Sequence, residues 1–277
     1  MKESPIWINP VGGLGDTLML SGVLKFVLDR EPGTRFQLVR RMKYLPFLAN
    51  HPAISGIGHP PKDATLIGTD YWSTERYRQG GRAFHSLAEK FDLPLPVAEQ
   101  LWLPDMEKLT YRWPSLPPLR PRVVFSASTD SPRKKWEMRE WADLVARFQQ
   151  NGWSVIQTGR IHEPYIPGAF SLLGLTSPLE LIALLKETDL LISTDSFAMH
   201  AAKLVGTPAI ILWGPTLSSV YGYKEHLHVS AAKRCEPACI GPDQSIQYGT
   251  PCTQETPCMT SIKADQIWDV VTAANCL

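Results

Sequence analysis

No run of about 18 or more apolar residues occurs in the sequence, which argues against a membrane-spanning helix. Charge of one sign is also missing: 28 Lys and Arg against 27 Asp and Glu leave a formal net charge of +1. Nucleic-acid binding normally shows a clear basic excess, so that class is set aside. The first residues, MKESPIWINP, lack the apolar stretch of a signal peptide, and a cytoplasmic protein is predicted. There is no Asp-x-Asp triplet to hold a divalent cation beside a nucleotide sugar, and no G-x-G-x-x-G dinucleotide fingerprint. Cysteine is scarce. Of five, Cys235, Cys239, Cys252 and Cys258 share one short segment and Cys276 stands apart, which excludes a disulfide framework spread over the fold.

What is present is ordinary globular material: 277 residues, 44% hydrophobic, with 24 Pro and 19 Gly. That length suits two compact halves or one large α/β unit. An apolar run at 5–9, a glycine turn and an apolar-periodic stretch over 17–28 read as strand, tight turn and helix. Strands are expected at 35–40 and 65–68, and helices at 42–50 and 81–91, the last with Phe84, Leu87, Ala88 and Phe91 on one face. Prolines then crowd 94–121, and a linker is placed near 111–121. A second βα series follows, with strands at 122–127, 153–157, 189–193 and 209–213 and helices at 139–150 and 197–205. Ser177-Pro-Leu-Glu180 is a capping box that opens another helix. The domains expected are 1–115 and 116–277, with a cleft between two βα-rich halves.

Three strand-to-helix turns carry the chemistry. Gly12-Gly-Leu-Gly-Asp16 lets backbone approach a ligand and puts a carboxylate at a helix N-terminus, which favours its ionised form and suits a general base. The same residues also read as a capping aspartate on a structural glycine turn. Ser193-Thr-Asp-Ser-Phe-Ala-Met-His200 puts Asp195 and Ser196 at a helix start and His200 one turn on. That is an anion pocket, or simple capping with a half-buried histidine. The loop from Ser126 to Trp136 supplies hydroxyls and Lys134-Lys135, suited to a diphosphate, although paired lysines are commonly solvated. In doubly wound sheets ligands gather at strand carboxyl ends, so the last two loops should meet on one ligand.

Together these segments resemble glycosyltransferase family 9, the ADP-heptose:lipopolysaccharide heptosyltransferases. Residues 191–216 look like the family's donor-site strand, turn, helix and Gly-Pro-Thr ending; 13–18 look like its N-terminal catalytic turn; Lys134-Lys-Trp136 resembles its K-x-W loop; and Cys258-Met259 followed by Ile262 resembles its C-M-x-x-I signature. The resemblance implies a GT-B architecture of two Rossmann-like doubly wound domains facing across a cleft: an acceptor side, and a C-terminal nucleotide-sugar side carrying the Cys-rich segment 235–258. It implies inverting, metal-independent transfer of a sugar, heptose by resemblance, from an ADP-type donor to a saccharide or protein hydroxyl. By position Asp16 would be the general base. Gly13, Gly15, Ser128, Thr129, Lys134, Asp195, Ser196 and His200 would surround the donor, and Glu163 would hold its ribose.

Two departures from the family stand out. Phe197 replaces the glycine usual after Asp-Ser, and the first half is short between Gly68 and the linker. The spacing Cys-x3-Cys-x12-Cys-x5-Cys allows either a structural zinc or iron site at Cys235, Cys239, Cys252 and Cys258, or free thiols. Relatives that heptosylate autotransporter proteins look similar in carrying four-cysteine iron there. No cofactor is expected for catalysis. Peripheral membrane contact and oligomer formation are compatible with the reading. The rival from another class is a non-catalytic sugar-nucleotide-binding or assembly protein. A nicotinamide-dependent oxidoreductase is disfavoured by the broken fingerprint.

Overall fold

A computed structural model describes residues 5–111, 115–117, 120–236, 238–241 and 249–274. Cys276 and parts of the proline-rich stretch, 112–114 and 118–119, lie outside them. The chain forms two compact units, dividing between Lys108 and Leu109. Among the described residues no helix is long and apolar enough to cross a membrane.

Unit 1 runs β1 (Trp7–Asn9), α1 (Leu14–Arg30), β2 (Phe36–Val39), α2 (Leu45–Leu48), β3 (Ile54–Gly58), β4 (Leu66–Gly68), α3 (Glu75–Arg78) and α4 (Ala83–Glu89). Its strands pair in parallel in the order β3-β2-β1-β4. The chain therefore builds outward from β1 through β2 to β3, then returns to the other edge of β1. Along α1, Leu18, Leu20, Val23, Leu24 and Val27 are buried. Gly22 lies among them because a Cβ there would stand 2.2 Å from the Gln100 carbonyl oxygen. The Phe84, Leu87 and Ala88 face of α4 is buried as its spacing predicts.

Unit 2 runs β5 (Arg122–Ser126), α5 (Met138–Gln150), β6 (Ser154–Gly159), β7 (Phe170–Leu173), α6 (Pro178–Lys186), β8 (Leu190–Thr194), α7 (Phe197–Val205), β9 (Ala209–Trp213), α8 (Ser218–Tyr221), β10 (Leu227–Ser230) and α9 (Ala264–Ala273). Its strands, all parallel, lie in the order β10-β9-β8-β5-β6-β7. Strands β8 and β9 are buried at every position, as a parallel sheet covered on both faces requires. The capping box at α6 forms as expected: the Ser177 hydroxyl accepts from the Glu180 amide, and the Glu180 carboxylate accepts from the Ser177 amide. Helix α5 buries Trp141, Leu144, Val145 and Phe148. Phe148 meets Trp268 of α9 edge to face, with ring centroids 5.2 Å apart.

Strands β3, β7 and β10 and helix α9 are absent from the expectations above. The strands are short and largely exposed or half-buried. Two glycines dilute the apolar signal of β3, and β7 and β10 are only four residues long, too short for alternation or an apolar run to mark a strand.

Three histidines are buried, and desolvation lowers each to about 4: His51 in unit 1, His200 and His226 in unit 2. His51 is satisfied as the neutral ring, Nε2 donating to the Ser21 carbonyl and Nδ1 accepting from the Ala53 amide. Unfolded histidines protonate below about 6.5 while the folded ones stay neutral, so stability is lost as pH falls from there toward 4. Each histidine should contribute a slope of at most about 1.4 kcal/mol per pH unit. Urea unfolding at pH 7.5, 6 and 5 should show this decline; a flat profile would contradict neutral burial. Gly22→Ala should destabilise unit 1 by about 1–3 kcal/mol through overpacking, against a helix-propensity gain of about 1 kcal/mol. A urea midpoint at or above the parent's would contradict the close approach.

Candidate functional site

Each sheet reverses direction once. In unit 1 the reversal lies between β1 and β4, and in unit 2 between β5 and β8. The connections leaving neighbouring strands there depart to opposite sides and leave room for a ligand at the strand carboxyl ends. Gly13, Gly15 and Asp16 follow β1, Ser128, Thr129 and Lys134 follow β5, and Asp195, Ser196 and His200 follow β8; Glu163 follows β6 and the four cysteines follow β10.

In unit 1 the chain turns from β1 into α1 through Gly12, at φ +94, and Gly13, the residue that caps the helix. A Cβ on Gly12 would sit 2.4 Å from Asp16 Oδ2, so only glycine leaves room for that carboxylate. Asp16 lies in the first turn, and Oδ2 accepts from the Gly13 amide. Oδ1 accepts from the Tyr71 hydroxyl at 2.9 Å. The Gly12 carbonyl accepts from Lys43 Nζ at 3.0 Å and from Tyr44 Oη at 2.9 Å. Arg41 donates through Nε to Asn9 Oδ1 at 3.0 Å. Burial pushes the Tyr44 phenol up, Arg41 opposes, and Asp16 adds to the rise, so Tyr44 stays a donor. Gly15 is buried within α1 and carries no side chain to interfere.

In unit 2, Lys134 ends a 3-10 turn, Pro132–Lys134, and is buried rather than solvated. Its Nζ lies 2.7 Å from Asp195 Oδ2, the two side chains being 9% and 8% exposed. Burial alone would raise the Asp195 carboxyl; the charge of the Lys134 ammonium and its hydrogen bond outweigh this and hold it below the usual range. Asp195 is therefore not a helix cap. Nor does the Ser196 hydroxyl cap α7: it pairs with Ser193 Oγ at 3.1 Å, and the first amides of α7 take no side-chain cap from it. His200, one turn into α7, meets the Tyr223 hydroxyl through Nδ1 at 2.6 Å. Burial lowers it to about 4 against the pull of Asp195, so it is neutral at pH 7. Phe197 is the first residue of α7.

Beside this group, Ser128 donates to the Glu163 carboxylate, which lies over Gly159 at the end of β6. The Thr129 hydroxyl accepts from the Ser131 amide at 3.3 Å. Lys134, Asp195, Ser196 and His200 thus come together at the β5–β8 reversal, with Ser128, Thr129 and Glu163 at the ends of β5 and β6. Gly13, Gly15 and Asp16 belong to unit 1.

The remaining motifs meet by packing. Trp136 donates through Nε1 to the Ile262 carbonyl at 2.9 Å. Met259 and Ile262 are buried in the core of unit 2, and a Cβ on Gly214 would lie 2.3 Å from Met259 Sδ. Arg133 donates to the Thr250 carbonyl at 2.9 Å and to its hydroxyl at 3.1 Å, tying the cysteine segment to the lysine loop. The four cysteines of that segment are free thiols. Cys258 feels the other three and Cys235 feels Cys239 and Cys252; burial, the larger cause, raises Cys235 and lifts Cys258 to about 11. Among the described residues no group of three or more His, Cys, Asp or Glu side chains is arranged to hold a metal ion.

Tyr71, Tyr44, Lys43, Tyr223 and Arg133 were not anticipated. Tyr71 lies 55 positions from Asp16, and the only sequence signal for it is its place just after a strand, on a turn whose pairing partner the sequence does not reveal.

Residues 81–239 match the model of glycosyltransferase family 9 (heptosyltransferase). No curated protein matches the chain. Among solved structures, the iron-containing dodecameric glycosyltransferase TibC from enterotoxigenic E. coli superposes with a TM-score of 0.74 at 18% identity, covering 99% of this chain and 79% of that one. E. coli heptosyltransferase WaaC, solved with ADP, gives 0.66 at 14% identity over 97% and 99% of the two chains. A family 9 glycosyltransferase from Veillonella parvula gives 0.66 at 13% over 98% and 97%. At such identities these structures speak to the fold, two parallel α/β units of the GT-B class. With more than half of its length matched by the family model, the chain belongs to glycosyltransferase family 9, the heptosyltransferases, and is a glycosyltransferase.

Proposed function

We propose that this enzyme transfers a heptose from ADP-heptose to a saccharide or protein hydroxyl, with inversion at the anomeric carbon and no metal ion in the chemical step. The observation that carries this reading is the buried Lys134–Asp195 pair at the start of α7. A buried ammonium next to helix amides is a site for a diphosphate that needs no divalent cation. TibC has been solved with ADP-D-beta-D-heptose, which supports the choice of donor.

In this mechanism the acceptor oxygen attacks the anomeric carbon from the face opposite the diphosphate. One C–O bond forms as the bond to the phosphate oxygen breaks, and the electron pair leaves with ADP. The acceptor proton passes to Asp16, which the Gly13 amide and Tyr71 hydroxyl hold in place. Lys134, the α7 amides and the hydroxyls of Ser128, Thr129 and Ser196 stabilise the departing diphosphate. Glu163 holds the ribose, and neutral His200 serves as a hydrogen-bonding group rather than a cation. Domains 1–115 and 116–277 take the acceptor and donor roles respectively.

The four-cysteine segment suits a structural role. Four thiols are the donor set of a structural zinc or iron site, and Cys235, Cys239, Cys252 and Cys258 would hold the ion, although among the described residues no three of them are gathered into a ligand set. Four thiolates saturate a tetrahedral ion, so it would order the segment and leave no position for substrate.

Asp16→Ala should lower transfer by about 10²–10⁴-fold while calorimetry shows donor affinity essentially unchanged. Full turnover in this variant would overturn the assignment of the base. Donor binding by the parent without turnover on any acceptor would favour the non-catalytic rival. Elemental analysis of the purified protein should find about one metal ion per chain, lost when any two of the four cysteines are replaced by serine. Stoichiometric metal in such a double variant would refute the site.

A further inference from the structure

Two observations set Tyr71 apart from the aromatic residues of the core. Its hydroxyl is spent on Asp16 Oδ1, at 2.9 Å, and its ring is buried where it cannot swing away. Tyr77 and Trp72 pack edge to face on that ring, with centroids 5.3 and 5.2 Å away. The turn carrying it is stitched to the turn carrying Asp16. Gly68 of β4 lies opposite Asn9 of β1, the Thr69 amide donates to the Asn9 carbonyl, and the Thr69 hydroxyl accepts from the Val11 amide at 2.8 Å. Lys90 bridges Asp70 Oδ1 and Ser73 Oγ at 2.9 and 2.8 Å, fixing the same turn from the other end. A neutral phenol so braced can only donate to a carboxylate, and a hydrogen bond to the ionised form favours that form.

We propose that Tyr71 is a positioning residue for Asp16, orienting the carboxylate and keeping it ionised so that it stands ready to take the acceptor proton. The inference rests on the reading of Asp16 as general base. Each carboxylate oxygen can accept more than one hydrogen bond, so the Gly13 and Tyr71 contacts are compatible with proton transfer to the same group. Charged or titratable groups close by include Arg41, Lys43 and Tyr44 on the turn after β2, Asp70 on Tyr71's own turn, and Lys90, at the end of α4, which pairs with Asp70. All of them are retained in the test variants.

Tyr71→Phe keeps the ring and removes only the hydroxyl. Carbon-13 NMR of protein labelled at the aspartate carboxyls, with the Asp16 signal assigned by its loss in Asp16→Asn, follows the titration without any substrate. The midpoint should rise by about one pH unit in Tyr71→Phe. ADP release from ADP-heptose, with the accepting hydroxyl or water, should show the acid limb of kcat moving up by the same amount. At the plateau kcat should fall about tenfold with the donor KM unchanged. A melting temperature near the parent's separates this from simple loss of folding. An unmoved NMR midpoint overturns the proposal whatever Asp16 does. A moved midpoint with an Asp16→Asn enzyme of full activity overturns instead the reading of Asp16 as base, and the catalytic part of this proposal with it.

Discussion

Parallel pairing on both sides of one starting strand is the constraint on which the rest depends. Strand β1 is flanked by β2 and β4, and β5 by β6 and β8. Because all these pairings are parallel, each connection must cross the sheet, and the chain must reverse its direction of growth where the second flank begins. At that reversal two connections diverge at the carboxyl ends. The two reversals put the Asp16 and Tyr71 turns side by side in unit 1, and the Lys134 and Asp195 turns side by side in unit 2. No single turn makes either arrangement.

Burial then converts these meetings into chemistry. A lysine and an aspartate on the surface would contribute little to one another. Taken out of water, each depends on the other, since removing one partner leaves an uncompensated charge inside. Their loop is fastened on both sides of Lys134, by Arg133 to Thr250 and by Trp136 to the Ile262 carbonyl. The K-x-W, Gly-Pro-Thr and C-M-x-x-I segments thus share a packing role, with Met259 seated against Gly214 and Ile262 in the core. In unit 1 the same logic works through tyrosines, Tyr44 bracing the Gly12 carbonyl and Tyr71 the Asp16 carboxylate.

Much of the fold was legible because its central strands are continuous apolar runs followed by turn glycines or small polar residues. The runs Leu190–Thr194 and Ala209–Trp213, the α7 stop at Gly206 and the capping box of α6 follow from local chemistry. Of the edge strands, β4 was legible and β3, β7 and β10 were not, because glycines interrupt β3 and four residues of β7 and β10 carry little pattern. The turn residues Asp16, Lys134, Asp195 and His200 announced themselves by type and place. Their partners did not. Tyr71, Tyr223 and Thr250 look like ordinary core or loop residues until long-range pairing sets them beside a charged group.

By itself, then, the sequence determined the α/β class, the glycine turn before Asp16, the polar strand-to-helix turn before α7 and the family whose motifs these are. Each rests on interactions within a few residues, where covalent connectivity does the positioning. Only the tertiary structure decided that Lys134 is buried against Asp195 instead of solvated, that Ser196 leaves α7 without a side-chain cap, that His200 is neutral and that Tyr71 holds Asp16. Those outcomes depend on desolvation and on contacts between distant segments. Both are properties of the packed sheet, and no local stretch of sequence carries them.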